Sequence, residues 1–174
     1  MNLLEVAYDS FKPFLGGDKK PLTVVEVSNL WMFLTICNGT LRNEELAYNT
    51  AEDKELKKIL KDAREIHKSI AEEINKLLKA EGIPLPQDTP EKPDIVVKNI
   101  PDGARFNDEE LANFMSFNLL LGVTYATRGL TESIRTDIGY LFFKVITRKT
   151  LLGVTLKDLM EKRSWLRIAP AYKA

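Results

Sequence analysis

The sequence predicts an all-α fold: a four-helix bundle whose helices run up, down, down and up, preceded by a short helical arm. Three observations carry that prediction. Apolar residues recur at three-and-four spacing along four long stretches, the mark of one buried stripe per helix. Capping boxes open two of those stretches, Thr23 with Glu26 and Asn107 with Glu110. Between the second and third stretches lies Ile83 to Phe106, with prolines at 84, 86, 90, 93 and 101 and one short apolar run. It reads as an extended connection.

Residues 1–21 form the arm, with Leu3, Leu4, Val6, Ala7, Phe11 and Phe14 apolar and Pro13 and the Gly16-Gly17 pair ending it. So apolar an arm needs something to lie on, its own bundle or a neighbouring subunit, and the sequence does not choose. The first bundle helix is expected over 24–49. Val24, Val27, Trp31, Leu34, Leu41 and Tyr48 keep heptad spacing, while Leu30, Phe33 and Cys37 widen the face beyond a coiled-coil seam. Thr50 is placed to cap a second helix over 51–81, with Glu52 and Asp53 in its first turn, where the dipole favours acids. So short a connection makes these two helices antiparallel neighbours. Along the second helix Leu56, Leu60, Ala63, Ile70, Ile74 and Leu77 line one stripe, and Gly82 followed by Pro84 closes it.

The length of the proline-rich segment decides the topology. A helix of this size is about 42 Å long at about 1.5 Å per residue, whereas two dozen extended residues reach about 75 Å. The segment can therefore run the length of the bundle, so that the third helix starts at the end where the second began. That is the one-crossover topology of ferritin-like bundles. A flexible spacer between two separate helical hairpins is the rival reading of the same prolines. The third helix is expected over 108–128 and to end at Gly129. The fourth, over 131–162, restarts at Thr131 or Ser133 and carries Ile134, Ile138, Leu141, Val145, Leu152, Leu156 and Leu159. The chain thus divides into an arm at 1–21, a bundle at 22–163 with its crossover at 83–106, and a tail at 164–174.

Composition bounds the function. With 174 residues, 44% hydrophobic and 29% charged, the chain suits one domain with one proper core. Lys plus Arg equals Asp plus Glu at 25 each, so no overall field draws a polyanion and bulk nucleic-acid binding is not implied. Lys144 to Lys173 is locally basic; at the end of a last helix such cations complement its dipole, and an anion-binding patch is the alternative. The single cysteine, Cys37, rules out an internal disulfide and suits a reducing compartment. It falls on an apolar face, as an inert buried thiol does. Glu5, Asp9 and Lys12 interrupt any signal-peptide pattern, and no run approaches the about 20 apolar residues of a membrane span.

Counting outward from the turns brings three polar residues to one level near mid-bundle: Asn38, His67 and Asn118. His67, the only histidine, lies on the buried stripe of the second helix. In ferritin-like metal enzymes this level carries a Glu from two helices and an E-x-x-H pair from the other two. Here the position three before His67 is Arg64, and no Asp, Glu or His occurs from Leu111 to Thr131 or from Ile138 to Lys157. The second hairpin therefore offers no carboxylate to its centre, and no metal, cofactor or catalytic group is expected. His67 reads as a buried neutral imidazole bonded to Asn38 or Asn118. A metal or small-ligand site at that layer, with possible oxidoreductase chemistry, is the alternative.

Glu26 with Leu30-Trp31, the Ile83-Pro84-Leu85-Pro86 exit, Ser133-Ile134-Arg135-Thr136-Asp137 at the last turn, and Trp165-Leu166 with Pro170 resemble a family from spore-forming bacteria. The family is uncharacterised; some members carry the label "putative spore coat protein", related to spore coat protein F. The resemblance spans roughly 22–172 and implies a ferritin-like fold and a coat or sporulation setting, with no catalytic residues to carry over. Ser164 and Ala169 stand where the pattern suggests Gly and Pro. The reading is a non-enzymatic structural or interaction protein of the mother-cell cytoplasm or the spore coat. Phe117, Leu120, Tyr140, Phe143 and Val154 form a second apolar stripe off the core, which predicts self-association as a homodimer or pairing with other coat proteins.

Overall fold

The computed structural model describes residues 20–97 and 99–172. Four long helices make up the described chain: α1 (Val24–Thr50), α2 (Lys54–Ala80), α3 (Asp108–Glu132) and α4 (Thr136–Lys162), with a single turn of 3₁₀ helix at Asp102–Ala104 before α3. The arm expected at 1–21 falls outside the described residues except for Lys20 and Pro21.

Hydrogen bonds at the helix ends establish the up-down-down-up order. The start of α1 meets the start of α4: Glu26 Oε1 accepts the N–H groups of Ile134 and Arg135 at 2.9 and 2.7 Å. The α1–α2 turn meets the start of α3, with Asp108 accepting from the N–H groups of Glu52 and Asp53 at 2.9 and 2.8 Å. At the same end Arg163, following α4, pairs with Asp53 and Glu55. At the opposite end Arg135 pairs with Glu81, following α2. The Glu26 and Asp108 contacts satisfy backbone N–H groups at or beside helix starts, and the arginine pairs tie helix ends together side chain to side chain.

The crossover climbs α1 step by step. Pro84 O accepts from Trp31 Nε1, Thr89 O from Arg42 Nη1, and the Lys92 N–H donates to Glu45. Asn49 then donates to Pro93 O and accepts from the Ile95 N–H. The side chains of α1 at 31, 42, 45 and 49 thus serve the polar backbone of an extended strap, as buried or half-buried main chain requires. The strap is a bundle-length crossover and not a spacer between separate hairpins.

Both capping boxes form as the sequence predicts. Three boundaries differ. Asp53, not Thr50, caps α2, accepting from the N–H groups of Glu55 and Leu56; the Thr50 hydroxyl instead bonds back to Leu46 O. Helix α3 does not stop at Gly129 but runs to Glu132, because Gly129 serves packing: a Cβ there would lie 2.5 Å from the Phe142 ring. Helix α4 begins at Thr136 without a side-chain cap from Arg135, and the Glu26 carboxylate reaches over from α1 to accept the N–H groups of Ile134 and Arg135 just ahead of the helix. Both α2 and α4 end in paired backbone bonds of Schellman type, Ile83 N to Leu78 O and Trp165 N to Met160 O. Gly82 takes the left-handed position of the first with φ 70°, and Ser164 that of the second with φ 59°, where the sequence pattern suggests glycine.

Among the described residues the apolar core is in two parts. One lies toward the start of α1, around Leu30, Phe33, Leu34, Ile74, Ile138 and Phe142. The other lies toward the α1–α2 turn, around Leu56, Leu60, Leu111, Met115, Leu156 and Met160. Helix α1 has the length and apolar content of a membrane span, but its stripe from Leu30 to Leu41 is buried in the first of these clusters.

Candidate functional site

Between the two apolar clusters each helix contributes one residue to a closed polar layer: Glu44 from α1, His67 from α2, Gly122 from α3 and Lys149 from α4. Each side chain sits there because the three-and-four stripe of its helix runs through it. Glu44 continues Cys37 and Leu41; His67 lies between Ala63 and Ile70; Lys149 falls between Val145 and Leu152. All three side chains are buried, with Glu44 at 5%, His67 at 1% and Lys149 at 3% exposure.

His67 is the centre of the relay. Its Nδ1–H donates to the Glu44 carboxylate, 2.8 Å from Oε1 and 3.0 Å from Oε2. That acceptor sets the tautomer and leaves Nε2 with a lone pair. The Lys149 ammonium donates to it. Gly122 makes room for the lysine: a Cβ at 122 would lie 2.7 Å from Lys149 Nζ and 2.9 Å from its Cε. The ammonium also faces the Phe33 ring, 5.9 Å from its centroid, where the negative face of the ring favours a cation.

Burial pushes the Lys149 amine below its ordinary range, against the opposing pull of Cys37 and Glu44. Burial likewise pushes the Cys37 thiol up to about 11, with Lys149 opposing and Glu44 assisting. A thiol so raised is a poor nucleophile. One carboxylate and one ammonium balance in charge, and the imidazole between them is bonded on both nitrogens.

The partners expected for His67 were Asn38 or Asn118, and neither bonds to it; Glu44 and Lys149 do. Asn38 is buried on α1, one residue from Cys37. Asn118 is half-buried and lines a cavity of about 20 Å³ beside His67 with Glu44, Phe114 and Met115, room for one water. Sequence reasoning missed Glu44 and Lys149 although both continue the heptad of their helix. A lysine in the second hairpin carries no metal-ligand signature, and Glu44 is hidden in an acidic pair with Glu45.

This donor set does not fit a di-metal centre. Such a centre needs about four carboxylates and two histidines, whereas the layer offers one of each and sets a cation on the free histidine nitrogen. Among the described residues no group of three or more His, Cys, Asp or Glu side chains converges to hold a metal ion.

The residues proposed for self-association are all solvent-exposed in the single chain: Phe117, Leu120 and Val154 are more than half exposed, and Tyr140 and Phe143 somewhat less. Tyr140 carries Lys144 over its ring.

Comparison with known proteins agrees with this architecture. The crystal structure of a putative spore coat protein from Bacillus halodurans C-125 superposes with a TM-score of 0.86 at 27% identity, covering 89% of this chain and 98% of that one. A conserved hypothetical protein, rv2844 from Mycobacterium tuberculosis, shares the fold with a TM-score of 0.65 at 11% identity, over 79% of this chain and 98% of that one. The uncharacterized protein YvdQ of Bacillus subtilis (strain 168) is 28% identical over 153 residues, 88% of this chain and 90% of its own length. The family model described as protein of unknown function (DUF3231) matches residues 13–174, and the chain belongs to that family.

Proposed function

We propose that this protein is a non-enzymatic structural or interaction component of the spore, laid down on the coat from the mother-cell cytoplasm, and that its bundle is a ferritin-like scaffold without ferritin-type chemistry. The observation that carries the reading is the Lys149 ammonium on His67 Nε2. A charge-balanced relay with both imidazole nitrogens engaged, and space for one water beside it, has no open position for a substrate or a metal. The spore setting is supported by the likeness to the Bacillus halodurans putative spore coat protein. The same scaffold leaves apolar side chains on the outer side of α3 and α4, and Phe117, Leu120, Tyr140, Phe143 and Val154 suit two-fold pairing of two copies or contact with another coat protein.

The test is a fluorescent fusion followed through sporulation. Enrichment on the developing spore supports the assignment, and diffuse cytosolic signal at every stage sinks it. Pairing is tested apart by sedimentation: wild type sediments as a dimer, and Leu120→Asp with Phe143→Asp as a monomer of unchanged helicity. The competing role, a metal- or small-ligand-binding bundle using the layer around His67, predicts stoichiometric metal in protein purified without a histidine tag, lost in His67→Ala.

A further inference from the structure

The seams between neighbouring helices are not equally filled. The crossover strap lies over the one between α1 and α2, held by Arg42, Asn49 and Arg64. Of the side-by-side pairs, α2 and α4 pack least closely, and the Arg135 end of their seam holds a groove of about 390 Å³. Two ion pairs span that groove, Arg135 to Glu81 and Lys144 to Glu73. Between them the lining is apolar in part, with Leu77 and Ala80 from α2 and Tyr140 and Leu141 from α4.

The chain enters at one end of this groove. Arg135 Nη1, already on Glu81, donates to Lys20 O at 3.3 Å, so residue 20 stands at the mouth with residues 1–19 before it. Their sequence suits a docking segment. Leu4, Ala7 and Phe11 recur at three-and-four spacing, Phe14 follows in step, and Glu5, Asp9 and Lys12 fall on the opposite face of a helix. Gly16-Gly17 allow the chain to reverse before Lys20. A helix over residues 2–12 is about 16 Å long at about 1.5 Å per residue, and the rise from Arg135 to Lys144 is about 14 Å. Segment and groove match in length.

We propose that residues 1–19 fold back at the glycine pair and dock their apolar stripe in the α2–α4 groove of the same chain. The tether favours that choice over a neighbouring copy. Residues 13–19 span at most about 25 Å from an anchor already at the groove, so the segment meets its own bundle at high effective concentration. Docking withdraws the apolar side chains of segment and groove from water together. The arm then closes the α2–α4 seam as the strap closes the α1–α2 one. Of the residues suited to pairing only Tyr140 lines this groove, so docking and pairing draw on largely different surfaces.

The experiment places a nitroxide on Asp9→Cys, on the polar face of the segment, in ¹⁵N-labelled full-length protein; Cys37 is buried and takes no label. The expected result is strong broadening of the Leu77, Ala80 and Lys144 amide signals, with those of Met32 and Leu46 on α1 and Leu120 on α3 left sharp. Phe11→Asp, a change in the segment, abolishes the broadening. Ala80→Glu, an exposed change at the groove, does the same with helicity unchanged. A co-refolded mixture of nitroxide-labelled ¹⁴N chains and unlabelled ¹⁵N chains shows no broadening. Broadening of equal strength in that mixture would put the segment on a second copy and overturn the proposal. So would sharp signals throughout the bundle, broadening centred on Leu120 or Met32, or a pattern that survives both substitutions.

Discussion

The end of the bundle that holds Glu26 and the middle that holds His67 both bury charge, and they do so for different reasons. Glu26, fully buried, accepts from the Thr23 N–H and hydroxyl and from the N–H groups of Ile134 and Arg135. Three of those donors are backbone groups at helix starts, so the carboxylate fills a need that the fold itself creates. Arg135 beside it forks onto both oxygens of Asp137 and reaches Glu81 and Lys20 O, and these hydrogen bonds raise its basicity. In the middle, Glu44, His67 and Lys149 meet no orphaned backbone. They satisfy only one another. A network of the first kind contributes directly to stability; one of the second kind costs desolvation that its own pairing merely offsets. The layer's effect is on which helix faces which, since only one arrangement brings a residue of every helix together there.

The largest effect is expected from breaking the balance in the middle. Lys149→Met leaves the Glu44 carboxylate buried beside an imidazole with no countercharge, and such a half-broken pair costs about 3–5 kcal/mol. Urea unfolding should show that loss. Adding Glu44→Gln removes the orphaned charge and recovers more than half of it. A double variant no more stable than Lys149→Met alone would mean that charge coupling does not hold the layer together.

At the end of the bundle the expected loss is somewhat smaller, because water can reach part of what is exposed. Glu26→Ala removes an acceptor shared by two helix starts and should cost about 2–3 kcal/mol. The effect depends on pH. Burial acts to raise the Glu26 pKa, but the bonds from Thr23, Arg135 and Ile134 outweigh it and hold the group below the ordinary carboxylate value of 4.5. A depressed carboxylate contributes its stability above its unfolded pKa and loses it as pH falls through the folded value. Acid titration of Glu26→Gln should therefore give a flatter stability curve below about pH 4.5 than wild type. An identical acid limb would show that this carboxylate is not the group being protonated.

The contrast also explains what could be read from residues alone. The end network was half visible: Glu26 was assigned to its capping box, and Ser133 to Asp137 was singled out as a motif. What pattern reading could not supply was that the two meet, a contact across 109 positions between Glu26 and Arg135. The crossover was legible because proline spacing and reach are local quantities. The layer was legible only through His67. Glu44 and Lys149 keep the heptad, yet a charged residue at such a position is ordinarily read as a lapse in the stripe. Only the opposing glycine at 122 reveals that the lysine is meant to lie inside. Gly129 misled for the matching reason: glycine punctuates helices, and nothing local distinguishes a stop from a groove cut for the Phe142 ring.

Those two glycines sharpen the comparison with smaller changes. Gly129→Ala drives a methyl group against a rigid aromatic ring, and overpacking of that kind costs about 1–3 kcal/mol. Gly122→Ala presses on the far end of the Lys149 side chain, which can yield only by leaving His67. The expected signature of Gly122→Ala is a shifted His67 ring resonance with a modest loss of stability. For Gly129→Ala the loss comes without that shift. Equal His67 shifts in both variants would remove the distinction between a packing glycine and one that seats the relay.

The smallest expected effect is a difference of slopes in alkali, where the middle titrates and the end does not. Burial lowers the Lys149 pKa from its ordinary value of 10.5, so between the folded value and 10.5 the unfolded chain binds more protons, and stability rises with pH. Cys37 behaves oppositely. Its thiol is raised from 9.0 to about 11, so the folded chain keeps a proton that the unfolded chain loses. That contribution is fully present below pH 9 and fades as pH climbs through about 11. Above about pH 9 the two slopes, each at most about 1.4 kcal/mol per pH unit, oppose each other, and over the interval up to about pH 10.5 wild-type stability should fall less steeply than Cys37 alone would make it. Cys37→Ala removes only the falling component, so its stability should climb relative to wild type over that interval while Glu26→Gln tracks wild type. A Cys37→Ala curve that stayed parallel to wild type would place the buried lysine at its ordinary basicity, and with it would fall the account of Lys149 as an amine held out of water.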